Sequence, residues 1–168
     1  MFDKFGEFDS VAEINDTAKR LLEEGNTEEV KELAAENGIS KEDAEDYIDG
    51  ITDTLATSLM AAIGKLDLEH KEYEIDGILQ DWEMQVREMC MQEDVMRDAV
   101  RRKGKSLRDC MAELIAFSFK NKRQVSNKIA SVTKVEHNGK TEPIRTPLYL
   151  GVPTRKDAKI IIKDYYLR

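Results

Sequence analysis

Start and stop signals for helices recur at short intervals through the first 50 residues. Ser10 and Glu13 have the spacing of a capping box, in which a hydroxyl and a carboxylate satisfy the free amides at the start of a helix. Helices as short as these are not stable alone, so the chain has to pack them together into an acidic three-helix N-terminal unit, residues 1–50. The predicted helices begin near Ser10, Thr27 and Ser40, and end before Gly25, Gly38 and Gly50.

Apolar residues continue at helical spacing from residue 51 to about residue 120. A weak pattern over residues 51–65 predicts a helix that breaks at Gly64, followed by a charged helical stretch that continues toward Gly77. Stronger apolar stripes then predict helices over residues 78–92 and 93–103 and a third one capped by Ser106. These three helices are expected to form the main core.

The character of the sequence changes after residue 122. Asn138 and Gly139 are a strong hairpin signal, because a type I′ turn needs positive φ at both central residues. Residues 146–152 are a possible third strand, and a last helix starts after Pro153. The expected fold class is mainly α: a compact multi-helix domain with a small β-hairpin or three-strand element near the C-terminus. Residues 51–168 form the helical core, as a second unit or continuous with the first.

Charge is distributed very unevenly along the chain. Residues 1–100 hold 28 acidic and nine basic residues, whereas residues 101–168 hold six acidic and 17 basic ones. The modest overall charge of −8 therefore hides a strongly polarised molecule. Long-range fields of this kind decide which partners approach, so the sequence points to a binding protein.

Signals for catalysis are poor. His70 and His137 lack neighbours at metal-ligand spacing, and both are expected to be solvated surface residues. Cys90 and Cys110 lie on predicted apolar helix faces, which favours buried free thiols. We therefore expect a non-enzymatic protein with no metal or cofactor. With no apolar run long enough for a membrane span and no signal-peptide pattern, a cytoplasmic location is expected.

The third predicted helix carries an acidic face at helical spacing. Carboxylates spaced in this way could imitate a row of phosphates and bind a partner protein, or could simply be the solvated side of a helix. The residues of this face are Glu42, Glu45, Asp46, Asp49 and Asp53.

Two basic clusters form a candidate nucleic-acid-binding patch in the second half of the chain. The alternative is that these cations are a counter-surface for the acidic half. Phe117 and Phe119 lie beside the second cluster and are expected to be core residues rather than platforms for stacked bases. The patch consists of Arg101, Arg102, Lys103, Lys105 and Arg108, followed by Lys120, Lys122 and Arg123.

Several stretches across nearly the whole chain resemble the PcfK-like family of mobile genetic elements. They are residues 1–8 (MFDKFGEF), 42–50 (EDAEDYIDG), 55–57 (LAT), 60–62 (MAA), 100–107 (VRRKGKSL), 117–121 (FSFKN), 150–153 (LGVP) and 164–167 (DYYL).

The resemblance implies a protein encoded on conjugative plasmids, integrative elements or phage-like islands in a bacterial host. A branch of this family is described as anti-CRISPR and inhibits the type II RNA-guided nuclease. The resemblance therefore implies that the partner is this nuclease or its guide-RNA complex. The alternative is a conjugation accessory protein that binds DNA or transfer-machinery proteins through the basic half.

Overall fold

The computed structural model describes residues 2–168, which fold into a mainly α structure. Across those residues there are nine helices and four short strands, and all four strands lie after residue 122. Within this described part of the chain, no helix is both long and apolar enough to cross a membrane. The prediction of a mainly α fold with a small β element near the C-terminus is confirmed.

The first three helices form where the capping signals predict them. They are α1 (Val11–Glu23), α2 (Thr27–Glu36) and α3 (Lys41–Ile48). The Ser10 side chain accepts a hydrogen bond from the Glu13 amide at 3.3 Å, and Ser40 accepts one from the Asp43 amide at 3.1 Å. Gly50, at φ +74°, lies just beyond the end of α3 and takes the left-handed conformation that glycine adopts without strain.

The fourth helix differs from the prediction in two ways: it starts later than residue 51, and it does not break at Gly64. α4 (Ser58–Glu72) starts only after Thr57, whose side chain accepts a hydrogen bond from the Met60 amide at 3.2 Å. Residues 51–55 form bends instead of helix. Gly64 lies inside α4 and does not break it.

Gly64 is used for packing rather than termination. The backbone of α4 at Gly64 lies directly against the backbone at Gly38, in the turn between α2 and α3. A Cβ atom built on Gly64 would collide with the carbonyl oxygen of Asn37, and one built on Gly38 would collide with the carbonyl oxygen of Gly64. Only two glycines allow the two backbones to approach so closely.

The next three helices confirm the predicted core. They are α5 (Gly77–Gln92), α6 (Asp94–Arg101) and α7 (Leu107–Lys120). Trp82, Met89 and Met96 are buried as expected, but Val95 is 55% exposed. The buried face of α6 runs from Met96 to Arg101, and Val95 at the start of this short helix lies off that face.

The C-terminal region forms two separate two-stranded sheets, and the strand expected within residues 146–152 forms but does not join the hairpin. The predicted hairpin is confirmed, with an antiparallel pairing of β2 to β3 in which Lys134 faces Pro143 at the end of the ladder. β4 pairs instead with β1, because the segment around Gly151 packs against the carbonyl of Ser118 near the end of α7. The elements are β1 (Arg123–Gln124), α8 (Asn127–Ala130), β2 (Lys134–His137), β3 (Lys140–Pro143), β4 (Tyr149–Leu150) and α9 (Arg155–Leu167).

Buried apolar side chains form two clusters that meet within α4. Ala61 belongs to the cluster built with α1, α2 and α3, whereas Ala62 and Leu66 belong to the cluster built with α5, α6, α7 and α9. α4 therefore contributes side chains to both cores, with the division between them falling after Ala61.

We predict that Gly64→Ala destabilises the protein by at least about 2 kcal/mol, because the added methyl group forces two backbones apart. This loss outweighs the gain of up to about 1 kcal/mol that alanine brings to a helix interior. Urea unfolding followed by circular dichroism measures the change. Gly25→Ala is the control, since beyond the adjacent residues nothing lies within 4 Å of its Cβ position and only the left-handed φ is penalised. A loss no larger than in Gly25→Ala would contradict the packing role of Gly64.

Candidate functional site

The predicted acidic face is largely on the surface but shorter than expected. Glu42, Glu45 and Asp49 are exposed and Asp46 is half-buried, all on α3 or at its C-terminal cap. Asp53 is exposed too, yet it lies in the bend that follows Gly50 and is not part of the helix. Its expected helical spacing is therefore wrong, because the chain leaves the helix before reaching it.

The carboxylates of α3 have few cationic partners. Lys41 contacts Glu45 at 3.4 Å, and within residues 2–168 no ion pair engages the carboxylates of Glu42, Asp46, Asp49 or Asp53. By contrast, α2 is partly neutralised by a 2.9 Å pair between Lys31 and Glu28 and by Lys4, which contacts Glu29 and Glu32. The negative charge of α3 is thus open to solvent.

The helix that carries these carboxylates is held firmly in place. Ala44 and Tyr47 on its opposite side are buried in the N-terminal cluster. The Ser40 hydroxyl donates to the Asp43 carboxylate at 2.6 Å, in addition to accepting the amide hydrogen bond of the cap. The acidic face therefore has a defined geometry before any partner arrives.

Arg101 is not part of an accessible basic patch, which corrects the sequence-based prediction. It is 2% exposed and points from α6 toward the turn after α2, where its Nη2 donates to the Asn37 side-chain oxygen at 2.8 Å. Its Nε and Nη1 find no acceptor among residues 2–168. Its guanidinium also lies 5.5 Å from the centre of the Phe2 ring. Burial lowers the pKa of this arginine, with nearby carboxylates opposing the shift.

Two more members of the first basic cluster are engaged within the protein. Lys105 Nζ donates to the carbonyl of Tyr165 at 2.7 Å and so satisfies the C-terminal end of α9. Arg108 is exposed and pairs with Asp109 at 2.9 Å. Arg102 and Lys103 are exposed.

The second basic cluster lies at the other end of α7. Lys120, Lys122 and Arg123 are all exposed, and a helix of this length separates them from the first cluster by about 20 Å. The fold therefore does not join the two clusters into one patch. Phe119 is 70% exposed, so the expectation that it belongs to the core is wrong, whereas Phe117 is half-buried.

The acidic and basic halves of the chain pair with each other in part, chiefly through α5 and α9. Arg155 contacts Glu88 at 2.6 Å, and Lys163 contacts Glu93 at 2.7 Å. These pairs use cations of the last helix and carboxylates near the end of α5. They leave the carboxylates of α3 untouched.

A buried charged network joins the N-terminal segment to the helical core. Lys65 is fully buried and donates to Glu7 at 2.6 Å and to the carbonyl of Arg102 at 3.1 Å. Glu69, one turn further along α4, accepts the Leu107 amide at 2.7 Å. Burial raises the pKa of Glu69 to about 7, although the hydrogen bond from Leu107 and the charge of Lys65 act in the opposite direction. Sequence patterns did not indicate this network, since a charged residue inside a helix is usually read as exposed.

His70 belongs to a second polar cluster and is not the fully solvated surface residue that the sequence predicts. His70 is half-buried, with its Nδ1 atom 2.6 Å from the carboxylate of buried Glu83. Arg87 donates from Nε to the same carboxylate at 2.8 Å and reaches Asp67 at 2.7 Å. His137 is exposed, as expected. The cluster lines an open depression of about 430 Å³.

The two cysteines are buried free thiols, as predicted. Burial raises the pKa of Cys90 to about 11 and that of Cys110 to about 12, so neither forms a thiolate near neutral pH. Among residues 2–168 there is no group of three or more His, Cys, Asp or Glu side chains arranged to hold a metal ion.

No family model, no curated protein and no solved structure matches this chain. The resemblance to the PcfK-like family therefore stays a prediction. The α3 carboxylates are the candidate functional site, because they are exposed, mostly unpaired and rigidly held.

We predict that Glu69 makes the stability of the protein fall between pH 4.5 and 7. A carboxyl whose pKa is raised on folding favours the protonated state, so its contribution is greatest below the unfolded pKa and is lost as the pH rises through the folded pKa. Glu69→Gln keeps an acceptor for the Leu107 amide but does not titrate. The free energy of unfolding of the native protein, relative to this variant, should drop by up to about 3 kcal/mol across that range. A difference that stays constant from pH 4.5 to pH 7 would show that Glu69 is not desolvated in this way.

Proposed function

We propose that this protein is a non-enzymatic inhibitor of a type II RNA-guided CRISPR nuclease and that it acts by binding the nuclease through α3. The exposed and largely unpaired carboxylates of α3 carry this proposal. The sequence resemblance to the PcfK-like family, one branch of which is described as anti-CRISPR, supports the choice of partner.

The acidic face of α3 and the nucleic-acid channel of a type II effector would carry opposite charges. A type II effector holds its RNA–DNA heteroduplex in a positively charged channel and reads a short duplex motif with basic side chains. The eight residues of α3 span about 12 Å, which is the length of about three phosphate repeats along one strand of a duplex. The carboxylates of Glu42, Glu45 and Asp49 would occupy positions that phosphates otherwise take.

Rigidity supports the same proposal. A flexible acidic segment would lose conformational entropy on entering a channel, whereas α3 is already ordered by its cap and by its buried face. The long-range field of the acidic half also speeds association with a cationic partner at low salt.

Reversing the charge of α3 should abolish inhibition. We expect the triple variant Glu45→Lys, Asp46→Lys and Asp49→Lys to lose at least 100-fold in inhibitory potency, because each replaced carboxylate becomes a cation facing a cationic channel. Cleavage of a linear target by a guide-loaded type II nuclease is the measurement.

The control variant has the same change in charge at sites away from α3. It places lysine at three exposed carboxylates that no ion pair engages within residues 2–168, namely Glu72, Asp81 and Asp98. Near-normal inhibition by this control, together with an unchanged melting temperature for both variants, identifies α3 as the contact. Equal inhibition by the α3 variant and the native protein would contradict the proposal.

A second candidate function is favoured by one observation, the exposure of Phe119 among cations. Lys122 Nζ lies 5.3 Å from the centre of the Phe119 ring, and Lys120 and Arg123 flank them. An aromatic ring with adjacent cations is a common way to bind single-stranded nucleic acid. In this alternative the protein is a conjugation accessory protein that binds DNA with this end of α7.

The alternative predicts strongly salt-dependent binding to a single-stranded oligonucleotide. Three phosphate contacts give a slope of log affinity against log salt of about −2, and Phe119→Ala should weaken binding by about 1–3 kcal/mol. Val132→Ala, at a site that is 75% exposed, is the control for an apolar surface change. Fluorescence anisotropy between 50 and 200 mM salt measures both effects. The absence of binding at the lowest salt would exclude this candidate.

A further inference from the structure

An apolar groove of about 310 Å³ lies beside the acidic face, between the start of α3 and one side of α4. Leu59, Met60 and Ile63 supply its apolar surface from α4, and Ile39 supplies it from the turn before α3. All three α4 side chains are only half-buried. This volume is at the small end of the range for ligand pockets, about 300–1,000 Å³, which suits one or two side chains of a partner.

The groove is a built feature of the fold rather than a gap in a flexible region. It lies at the seam between the two cores, because Leu59 and Ile63 pack on one cluster and Met60 packs on the other. Its floor includes the Gly38 and Gly64 backbones, whose close contact sets the distance between its walls. The groove therefore exists before a partner binds.

Carboxylates stand at both ends of the groove. Asp43 lies at the α3 end, next to exposed Glu42, and Asp67 lies at the other end. Arg87 contacts Asp67 and also binds the buried carboxylate of Glu83, and the Asp67 side chain stays 50% exposed, so a second cation can still reach it. An apolar groove with acidic ends is complementary to an apolar side chain that has cations on either side.

We propose that the groove binds a basic segment of a partner protein, which inserts one apolar side chain between Leu59 and Ile63 and places Lys or Arg side chains against Asp43 and Asp67. This inference rests on the proposed function in taking the partner to be a protein with a cationic surface. It adds an apolar anchor to the contact, which nucleic acid mimicry by α3 alone does not require. A phosphate backbone does not fit the site, because the carboxylates would repel it.

A helical 14-residue peptide of Lys and Leu is the probe, and the same peptide with Glu in place of Lys is its counterpart. We expect the Lys peptide to shift the methyl resonances of Ile39, Leu59, Met60 and Ile63 in the native protein, and the Glu peptide to shift none of them. Because this mapping uses the native protein, it does not depend on the folding of any variant.

Variants then test the anchor and the charges separately. Ile63→Gln and Met60→Gln should weaken binding of the Lys peptide at least tenfold, and Asp67→Asn about threefold. Ile51→Gln, at a site that is 70% exposed and outside the groove, should leave affinity unchanged. Thermal melts identify any variant that has lost its fold.

The outcomes separate this inference from the proposed function. Groove methyl shifts with the Lys peptide but no effect on any type II nuclease would support the groove and contradict the proposed function. A different result would overturn the proposed role of the groove and leave the proposed function standing. In that result, folded Ile63→Gln inhibits the nuclease as well as the native protein does, and the peptide shifts resonances outside the groove. Concentration-dependent dimerisation that Ile63→Gln removes would also overturn the proposed role of the groove, by assigning the groove to a second copy of this chain.

Discussion

The turn after α2 and helix α4 are in direct backbone contact at Gly38 and Gly64. This contact holds the turn against α4, the helix that contributes side chains to both hydrophobic clusters. Buried polar groups reinforce the same junction, since Lys65 binds Glu7 and Arg101 binds Asn37. Breaking a buried charged contact by removing one partner is strongly destabilising, so these groups hold the acidic unit in one position relative to the core. The fixed position of α3 and the shape of the neighbouring groove both follow from this junction.

The polarised charge of the chain is used in two different ways by the folded protein. Where the halves meet, along α5 and α9, opposite charges pair, as in Arg155 with Glu88. On α3, Lys41 contacts Glu45, and no other ion pair within residues 2–168 engages a carboxylate of this helix. Exposed ion pairs contribute little stability, so their absence from α3 forfeits little, and repulsion between neighbouring carboxylates costs a few tenths of a kcal/mol per pair while the face keeps a strong local field. A surface of this kind favours recognition of a cationic partner over any role in holding the fold together.

Most of the fold could be predicted from the sequence, because caps, glycines and apolar spacing are local signals. The Ser40 cap, the Trp82 stripe and the Asn138–Gly139 turn each act through residues within one or two turns of the chain. Contacts between residues far apart in the sequence could not be predicted in this way. The local pattern predicts a helix break at Gly64, since its partner Gly38 lies on a different element. It predicts an exposed Arg101, because the acceptor that receives its hydrogen bond is distant in sequence.

In the proposed mechanism the acidic face and target DNA occupy the same cationic channel of a type II effector. The two ligands should therefore compete for the effector. Labelled target DNA is titrated with a guide-loaded, cleavage-inactive effector at increasing concentrations of this protein, and fluorescence anisotropy reports the DNA affinity. Shared occupancy of the channel requires an apparent Kd for DNA that rises linearly with the protein concentration, with no complex that contains both ligands. An unchanged Kd for DNA, or a stable complex of effector, DNA and this protein together, would rule out a shared channel.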